Sequence, residues 1–389
     1  MSPLPLLALL LAPAFLATPL PAQDQGRLVI IGGGLSRANE AVYRAVLDGV
    51  VGGGPLCVIP TASATPERSM RGQVDRFEEH GGAGVAVGVP LSVDEPDAAH
   101  DPEVVARLSA CGGFYFTGGV QSRITRLLRP GGASTPALDA IRARHRAGAL
   151  VAGSSAGAAI MSDPMIAGGS SARALERGVI GGGVSVAPGL GFFTGLTDQH
   201  FLARGRIGRL LVAVLQLEGT RLGFGIDENT ALVVEGGKAR VVGASGVVVV
   251  DAREARRDPA GHGGTGLRVT LLGAGDVLDL STRRVAWDPA KQPLPVSSEP
   301  IAPVGDVFER WRFLHLLHEL GRAGASAGAV SVPAGDYEVV IRKAPGFTAV
   351  AGEGEGEGVR ETPAGLGVGP LRVDIRRVRG SRAPGRPPP

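Results

Sequence analysis

A chain of 389 residues is long enough for one large domain and a smaller addition, and 44% apolar residues suffice to bury a sizeable core. A formal net charge of +3 is small for that length and argues against a nucleic-acid partner. The 61 glycines and 29 prolines imply many tight turns and some looser segments.

Residues 1–22 read as an export signal: Leu4 to Leu20 is strongly apolar, and Ala22 offers a cleavage point before Gln23-Asp24-Gln25. The run is short and broken by Pro13 and Pro19, so a retained membrane span is not expected; no cysteine follows it to carry a lipid anchor. The expected location is therefore exported, periplasmic or extracellular.

From Leu28 the chain alternates short apolar runs with helical patterns. Leu28–Ile31 runs into Gly32-Gly33-Gly34, and Asn39–Val51 has helical periodicity. Leu56–Pro60 runs into Thr61-Ala62-Ser63, Glu67–His80 reads as a helix, and Gly84–Val89 as a third strand. Gly113–Thr117 ends in Gly118-Gly119 before a helix over Gln121–Leu128, and Ala149–Ala152 ends in Gly153-Ser154-Ser155. This βαβα order predicts an α/β fold, a mostly parallel sheet flanked by helices, over residues 26–284, with a site at the C-terminal ends of the strands. After Gly223 the pattern becomes short β-branched runs: Thr230–Val234, Ala239–Val242, Gly246–Asp251, Leu267–Leu272 and Asp276–Leu280.

Residues 285–304 are proline-rich and read as a linker. Residues 305–379 read as a small C-terminal α+β extension, with an amphipathic helix over Val307–Leu320 and strands at Tyr337–Arg342 and Leu371–Ile375. Gly352–Gly358 alternates Gly and Glu, and 380–389 reads as a disordered tail. The two cysteines, Cys57 and Cys111, sit in apolar runs and read as buried core thiols; an exported chain also permits a disulfide between them.

The chemistry concentrates in Gly153-Ser154-Ser155-Ala156-Gly157, directly after a buried strand. A G-x-S-x-G turn between strand and helix holds its serine exposed in a strained conformation, which makes Ser155 the candidate nucleophile. The following helix, from Ala158 onward, would aim its N-terminus there. A nucleophilic serine needs a base. His80, His100, His145 and His262 lie in polar contexts and read as solvated. His315 and His318 are spaced for a metal but lack a third ligand, so neither metal nor cofactor is expected. His200 stands apart, in Thr197-Asp198-Gln199-His200-Phe201 ahead of Arg204, Arg206 and Arg209, a charged cluster suited to a charged substrate. The N–H of Ala156 and that of Gly118 or Gly119 are candidates for an oxyanion hole.

The motifs together are similar to those of the cyanophycinases, within the serine peptidase family that also contains dipeptidase E. The resemblance is carried by Ile31-Gly32-Gly33-Gly34, Ile59-Pro60-Thr61-Ala62-Ser63 and Phe116-Thr117-Gly118-Gly119-Val120-Gln121. It continues through Ser154–Ala159, Asp198–Arg209 and Gly225-Ile226-Asp227-Glu228-Asn229-Thr230-Ala231, covering about residues 27–280. It implies a class I glutamine amidotransferase-like fold and hydrolysis of cyanophycin, a poly-aspartate with arginine on each β-carboxyl, to β-Asp-Arg dipeptides. Ser155 would be nucleophile and His200 base. Gln121, Asp198, Gln199, Arg204, Arg206 and Arg209 would line the substrate pocket, with Asp198 open to a substrate guanidinium. The orienting acid would be Glu228, with Glu176 as the alternative. Val120 departs from the polar residue usual at its position. A homodimer is the expected assembly. An isoaspartyl or Asp-X dipeptidase acting on short peptides, or an inactive peptide-binding relative, are the competing readings.

Overall fold

The computed structural model describes residues 26–301, 305–324, 329–353 and 362–378. The expected export signal, the tail 380–389 and all but the first two residues of the Gly-Glu stretch lie outside the described residues.

Five short strands form the parallel part of the fold: β1 Leu28–Ile31, β2 Leu56–Ile59, β3 Ala86–Gly88, β4 Gly113–Phe116 and β5 Leu150–Ser154, ordered β3-β2-β4-β5-β1. Every residue of β1, β2, β4 and β5 is buried, as expected of parallel strands covered on both faces. Helices α1 Glu40–Leu47 and α2 Pro66–Gly81 cover one face, where Val42, Tyr43 and Phe77 pack on Val29, Val58 and Tyr115. Helices α3 Pro102–Ser109, α4 Gln121–Leu128 and α5 Pro136–Arg146 contribute to the other. Helix α6, Ala156–Ala159, follows β5 and is a single turn, shorter than the sequence suggests.

The chain then leaves the sheet. Strands β6 Met165–Gly169 and β7 Val184–Ala187 pair with each other, with helix α7 Ser171–Arg177 between them. Strand β8 Leu196–Asp198, helix α8 Ile207–Gln216 and strand β9 Leu222–Ile226 follow. Strands β10 Thr230–Glu235 and β11 Lys238–Gly243 return to the first sheet, where β10 runs antiparallel beside β1. With later β15 Val277–Asp279 and β16 Val285–Ala286 they make it a nine-stranded mixed sheet, so the expected mostly parallel sheet is parallel over one half only.

A second nine-stranded sheet was not foreseen. Strand β8 is parallel to β9; then β12 Gly246–Asp251, β14 Gly264–Gly273, β20 Gly367–Arg377, β19 Tyr337–Ala351 and β17 Gln292–Pro293 follow antiparallel, with β13 Arg256–Arg257 on β14 and β18 Val330–Ala334 on β19. One face packs toward the first sheet through Phe224, Ile226, Val247 and Val249. The other packs on α8 and on helix α9, Arg312–Arg322. The segment beyond 285 therefore differs from the separate accessory unit its composition suggests. Strand β20 pairs with β14, and Leu316, Leu317, Val373 and Ile375 share one apolar cluster with Leu210, Val248 and Val250.

Cys57 on β2 and Cys111 ahead of β4 form a disulfide, with Cα atoms 5.9 Å apart. The sequence favoured two free thiols; adjacency of β2 and β4 is what brings the pair within bonding distance.

Candidate active site

Ser155 stands between β5 and α6 with φ 54° and ψ −105°, a conformation unusual for a residue with a Cβ. Its N–H donates to Ile31 O at 3.0 Å, extending the β1–β5 ladder to the serine itself. The turn is possible because both flanking glycines lack a side chain. A Cβ on Gly153 would lie 2.4 Å from Gly157 O, and one on Gly157 would lie 2.3 Å from Phe116 O.

Ser155 Oγ is 2.8 Å from His200 Nε2, and His200 Nδ1 is 2.6 Å from Glu228 Oε1. A carboxylate only accepts, so Nδ1 carries the proton and Nε2 presents its lone pair to the serine hydroxyl. Burial pushes the His200 pKa below its ordinary value, and the hydrogen bond His200 donates to Glu228 opposes that shift. Glu228, not Glu176, is thus the acid at the histidine; Glu176 lies exposed on α7.

The loop after β1 seats both partners, a role the glycine triplet did not reveal by itself. Gly32 O accepts from His200 N at 2.7 Å, which holds the histidine at φ 47°, and Gly33 O accepts from Asn229 N at 2.8 Å. The imidazole lies against Gly33, where a Cβ would come 2.3 Å from Cε1. Asn39 Nδ2 and Ser36 N bind Asn229 at 2.8 and 2.9 Å, fixing the turn that carries Glu228.

The glycines after β4 complete the surroundings of the serine. A Cβ on Gly118 would lie 3.4 Å from Ser155 Cβ. Gly119 has φ +146° and packs against Ala62, whose oxygen a Cβ would meet at 2.1 Å. Val120, half exposed, donates its N–H to Ala62 O at 2.8 Å. Ala156 opens α6 beside the serine.

The residues expected in the substrate pocket divide. Arg204 is 53% exposed with Nε 4.0 Å from Glu228 Oε1. Gln121 Nε2 donates to Ala167 O at 2.9 Å. Asp198 is not open to a substrate guanidinium: it is 1% exposed and grips Arg209, whose Nε donates to Oδ2 at 2.7 Å and Nη2 to Oδ1. Arg209 also donates to Gly169 O at 2.8 Å. Arg206 Nη1 donates to Gln199 O and Oε1 at 2.5 and 3.0 Å, and burial brings its pKa down to about 10. These four side chains form a buried ionic floor under the histidine loop.

The other histidines lie outside this arrangement. His145, expected to be solvated, is buried, with Nδ1 2.9 Å from Ala149 O. His80 stacks on Tyr43, and His315 and His318 sit half-buried on α9. Among the described residues no group of three or more His, Cys, Asp or Glu is placed to hold a metal, and no helix is long and apolar enough to cross a membrane. A cavity of about 470 Å³ lined by Arg253, Arg268, Arg283 and Trp287 lies at the Leu222–Asp251 end of β9 and β12, the end away from Glu228.

A serine on a strained strand–helix turn, backed by histidine and carboxylate, is the arrangement of a serine hydrolase. Residues 28–242 match the model of Peptidase family S51, and the chain belongs to that family. It is 35% identical over 277 residues to the cyanophycinase of Nostoc sp. (strain PCC 7120 / SAG 25.82 / UTEX 2576), covering 68% of this chain and 89% of that one. It is 36% identical over 249 residues to the cyanophycinase of Synechococcus elongatus, covering 61% and 72%. Among solved structures, a peptidase from an acI-B1 Actinobacterium is 22% identical with a TM-score of 0.48, covering 66% of this chain and 97% of that one.

Proposed function

We propose that this chain hydrolyses cyanophycin to β-Asp-Arg dipeptides through an acyl-enzyme on Ser155. The observation that carries the reading is the Ser155–His200–Glu228 relay, at 2.8 and 2.6 Å, in a chain whose relatives of 35–36% identity are cyanophycinases. Ser155 Oγ attacks the scissile carbonyl while His200 Nε2 takes its proton; Glu228 steadies the imidazolium. The N–H groups of Gly119 and Ala156 face the developing oxyanion. His200 then gives the proton to the leaving amine, and a water activated by the same nitrogen releases the acyl group.

Arg204, exposed and with Nε 4.0 Å from Glu228, suits a substrate carboxylate, with Gln121 as a second polar group for the substrate. The parallel half of the first sheet supports a class I glutamine amidotransferase-like classification. The apolar leader and the Cys57–Cys111 disulfide support export into an oxidising compartment. Assembly as a homodimer belongs to the same reading and is checked by sedimentation.

Incubation with cyanophycin and with short Asp-X peptides in parallel tests the substrate. Faster turnover of the polymer is expected. Turnover of the short peptides alone makes the protein a dipeptidase.

A further inference from the structure

We propose that the cavity of about 470 Å³ between the two sheets is a second binding site for one β-Asp-Arg unit, with Arg268, Arg283 and Arg284 for its carboxylate and Glu254 for its guanidinium. The identity of the ligand rests on the cyanophycin reading above; the place of the site does not. Asp251 on β12 and Arg268 on β14 are partners across the ladder, so both side chains leave the second sheet on one face. That is the face on which Val249 packs toward the first sheet. The hairpin joining β15 to β16 closes the cavity from the first sheet, and Trp287 just beyond it adds an apolar wall. Pro345 and Gly346, where the β19–β20 register shifts, lie at the same cavity and belong to the chain outside the family-matched region. The cavity meets β9 at Leu222, and from there the strand runs roughly 13 Å to the end that leads to Glu228, so the site is separate from the triad.

The hairpin is built to present its arginines. Asp279 Oδ1 accepts from Ser281 N, Thr282 N and Ser281 Oγ at 3.0, 2.8 and 2.7 Å, and Arg283 N donates to Asp279 O at 2.9 Å. Arg283 is held there at φ 63°, and its Nε is buried with no hydrogen-bond partner. A buried guanidinium N–H left unmatched is costly, and an incoming carboxylate oxygen would satisfy it. The fold does not use up the charges around the cavity. Asp251 is taken by Arg253, whose Nε and Nη2 lie 2.9 and 2.7 Å from Oδ2. Among the described residues no hydrogen bond or ion pair engages the side chains of Arg268, Arg283, Arg284 or Glu254. Three free cations and one free carboxylate around one cavity match a ligand that carries a carboxylate and a guanidinium together. The volume lies in the range of pockets that enclose small molecules. A repeat of the polymer and the released dipeptide both carry this pair of groups.

Calorimetric titration of the β-Asp-Arg dipeptide into the full-length Ser155→Ala protein reads binding without turnover. Two sites are expected, one of which weakens at least about tenfold when Arg268→Gln or Arg283→Gln is added. Arg284→Gln, at an exposed position on the hairpin, decides the matter if neither of those proteins melts cooperatively. Glu254→Gln should narrow the preference of that site for the dipeptide over tetra-aspartate, which brings carboxylates and no guanidinium. With Ser155 intact, Arg268→Gln should turn over a short soluble Asp-X peptide within about twofold of wild type. The two sources of the ligand separate in the same variant: a raised KM for cyanophycin marks a repeat of the polymer. An unchanged KM, with wild-type turnover altered by added dipeptide, marks the released product. A single site, or two sites that none of the arginine substitutions weakens, overturns the proposal. Wild type that releases no dipeptide from cyanophycin removes the functional reading instead, and the titration still decides whether the cavity binds.

Discussion

His200 is subject to opposing influences: burial lowers its pKa, and the Glu228 carboxylate beside Nδ1 raises it. The first prevails, so the imidazole is neutral and ready to accept a proton at neutral pH. Turnover is predicted to stay level as pH falls from 8 and to drop only below the ordinary histidine value of 6.5; an acid limb above that value would contradict the assignment. Glu228→Gln should cost about 10²–10⁴-fold in kcat, whereas Glu176→Gln should leave kcat unchanged. Beneath the loop, Asp198→Ala leaves Arg209 charged and buried without its partner. A loss of about 3–5 kcal/mol in stability is expected, read from denaturant melts. Ser155 and His200 were legible in the sequence because strand, turn and small neighbours are local features. The choice between Glu228 and Glu176 was not, since it depends on how the loop after β1 folds back on Asn229. Asp198 misled for the same reason: a carboxylate ahead of three arginines looks like a substrate ligand until one of them is seen to take it.

Strands β1, β2, β4 and β5 could be read from the chain because each is an apolar run closed by glycine or small polar residues. Helix α8 could not, since eight of its ten residues are buried, Arg209 among them, drawn inside by Asp198. The start of α9 was placed too early. Phe308, Trp311 and Leu314 are spaced like one helical face, yet Trp311 turns left-handed and the helix begins at Arg312. Close approach is also what requires a glycine at 205. Gly205→Ala would place a Cβ against Phe308 O at a φ of +56°, and it is predicted to lower thermal stability and turnover together. The disulfide closes a separation of 54 residues between β2 and the approach to β4. Its removal as Cys57→Ala with Cys111→Ala should cost about 2–4 kcal/mol and leave kcat near wild type.

Two nine-stranded sheets share one interior, and Glu228 sits on the short crossing between them, where β9 of the second sheet leads into β10 of the first. That arrangement makes truncation near Asp288 damaging to the fold that carries Glu228. Such a truncation strips β20 from β14 and uncovers Leu210, Val248 and Val269. The shortened chain is predicted to lose its cooperative melt along with its activity. Composition could not reveal this, because the proline-rich stretch after Val285 looks like a linker while part of it, β17, pairs with β19. The account as a whole stands on the proposal that Ser155 opens the backbone amide of the poly-aspartate and leaves the β-linkage to arginine intact. Its most direct test is mass spectrometry of the soluble products after wild type and Ser155→Ala are each incubated with cyanophycin. Wild type is predicted to release β-Asp-Arg dipeptides, and the variant to release them at least about 10⁴-fold more slowly. Dipeptide release by the variant within tenfold of the wild-type rate, or no dipeptide from wild type, would contradict the account.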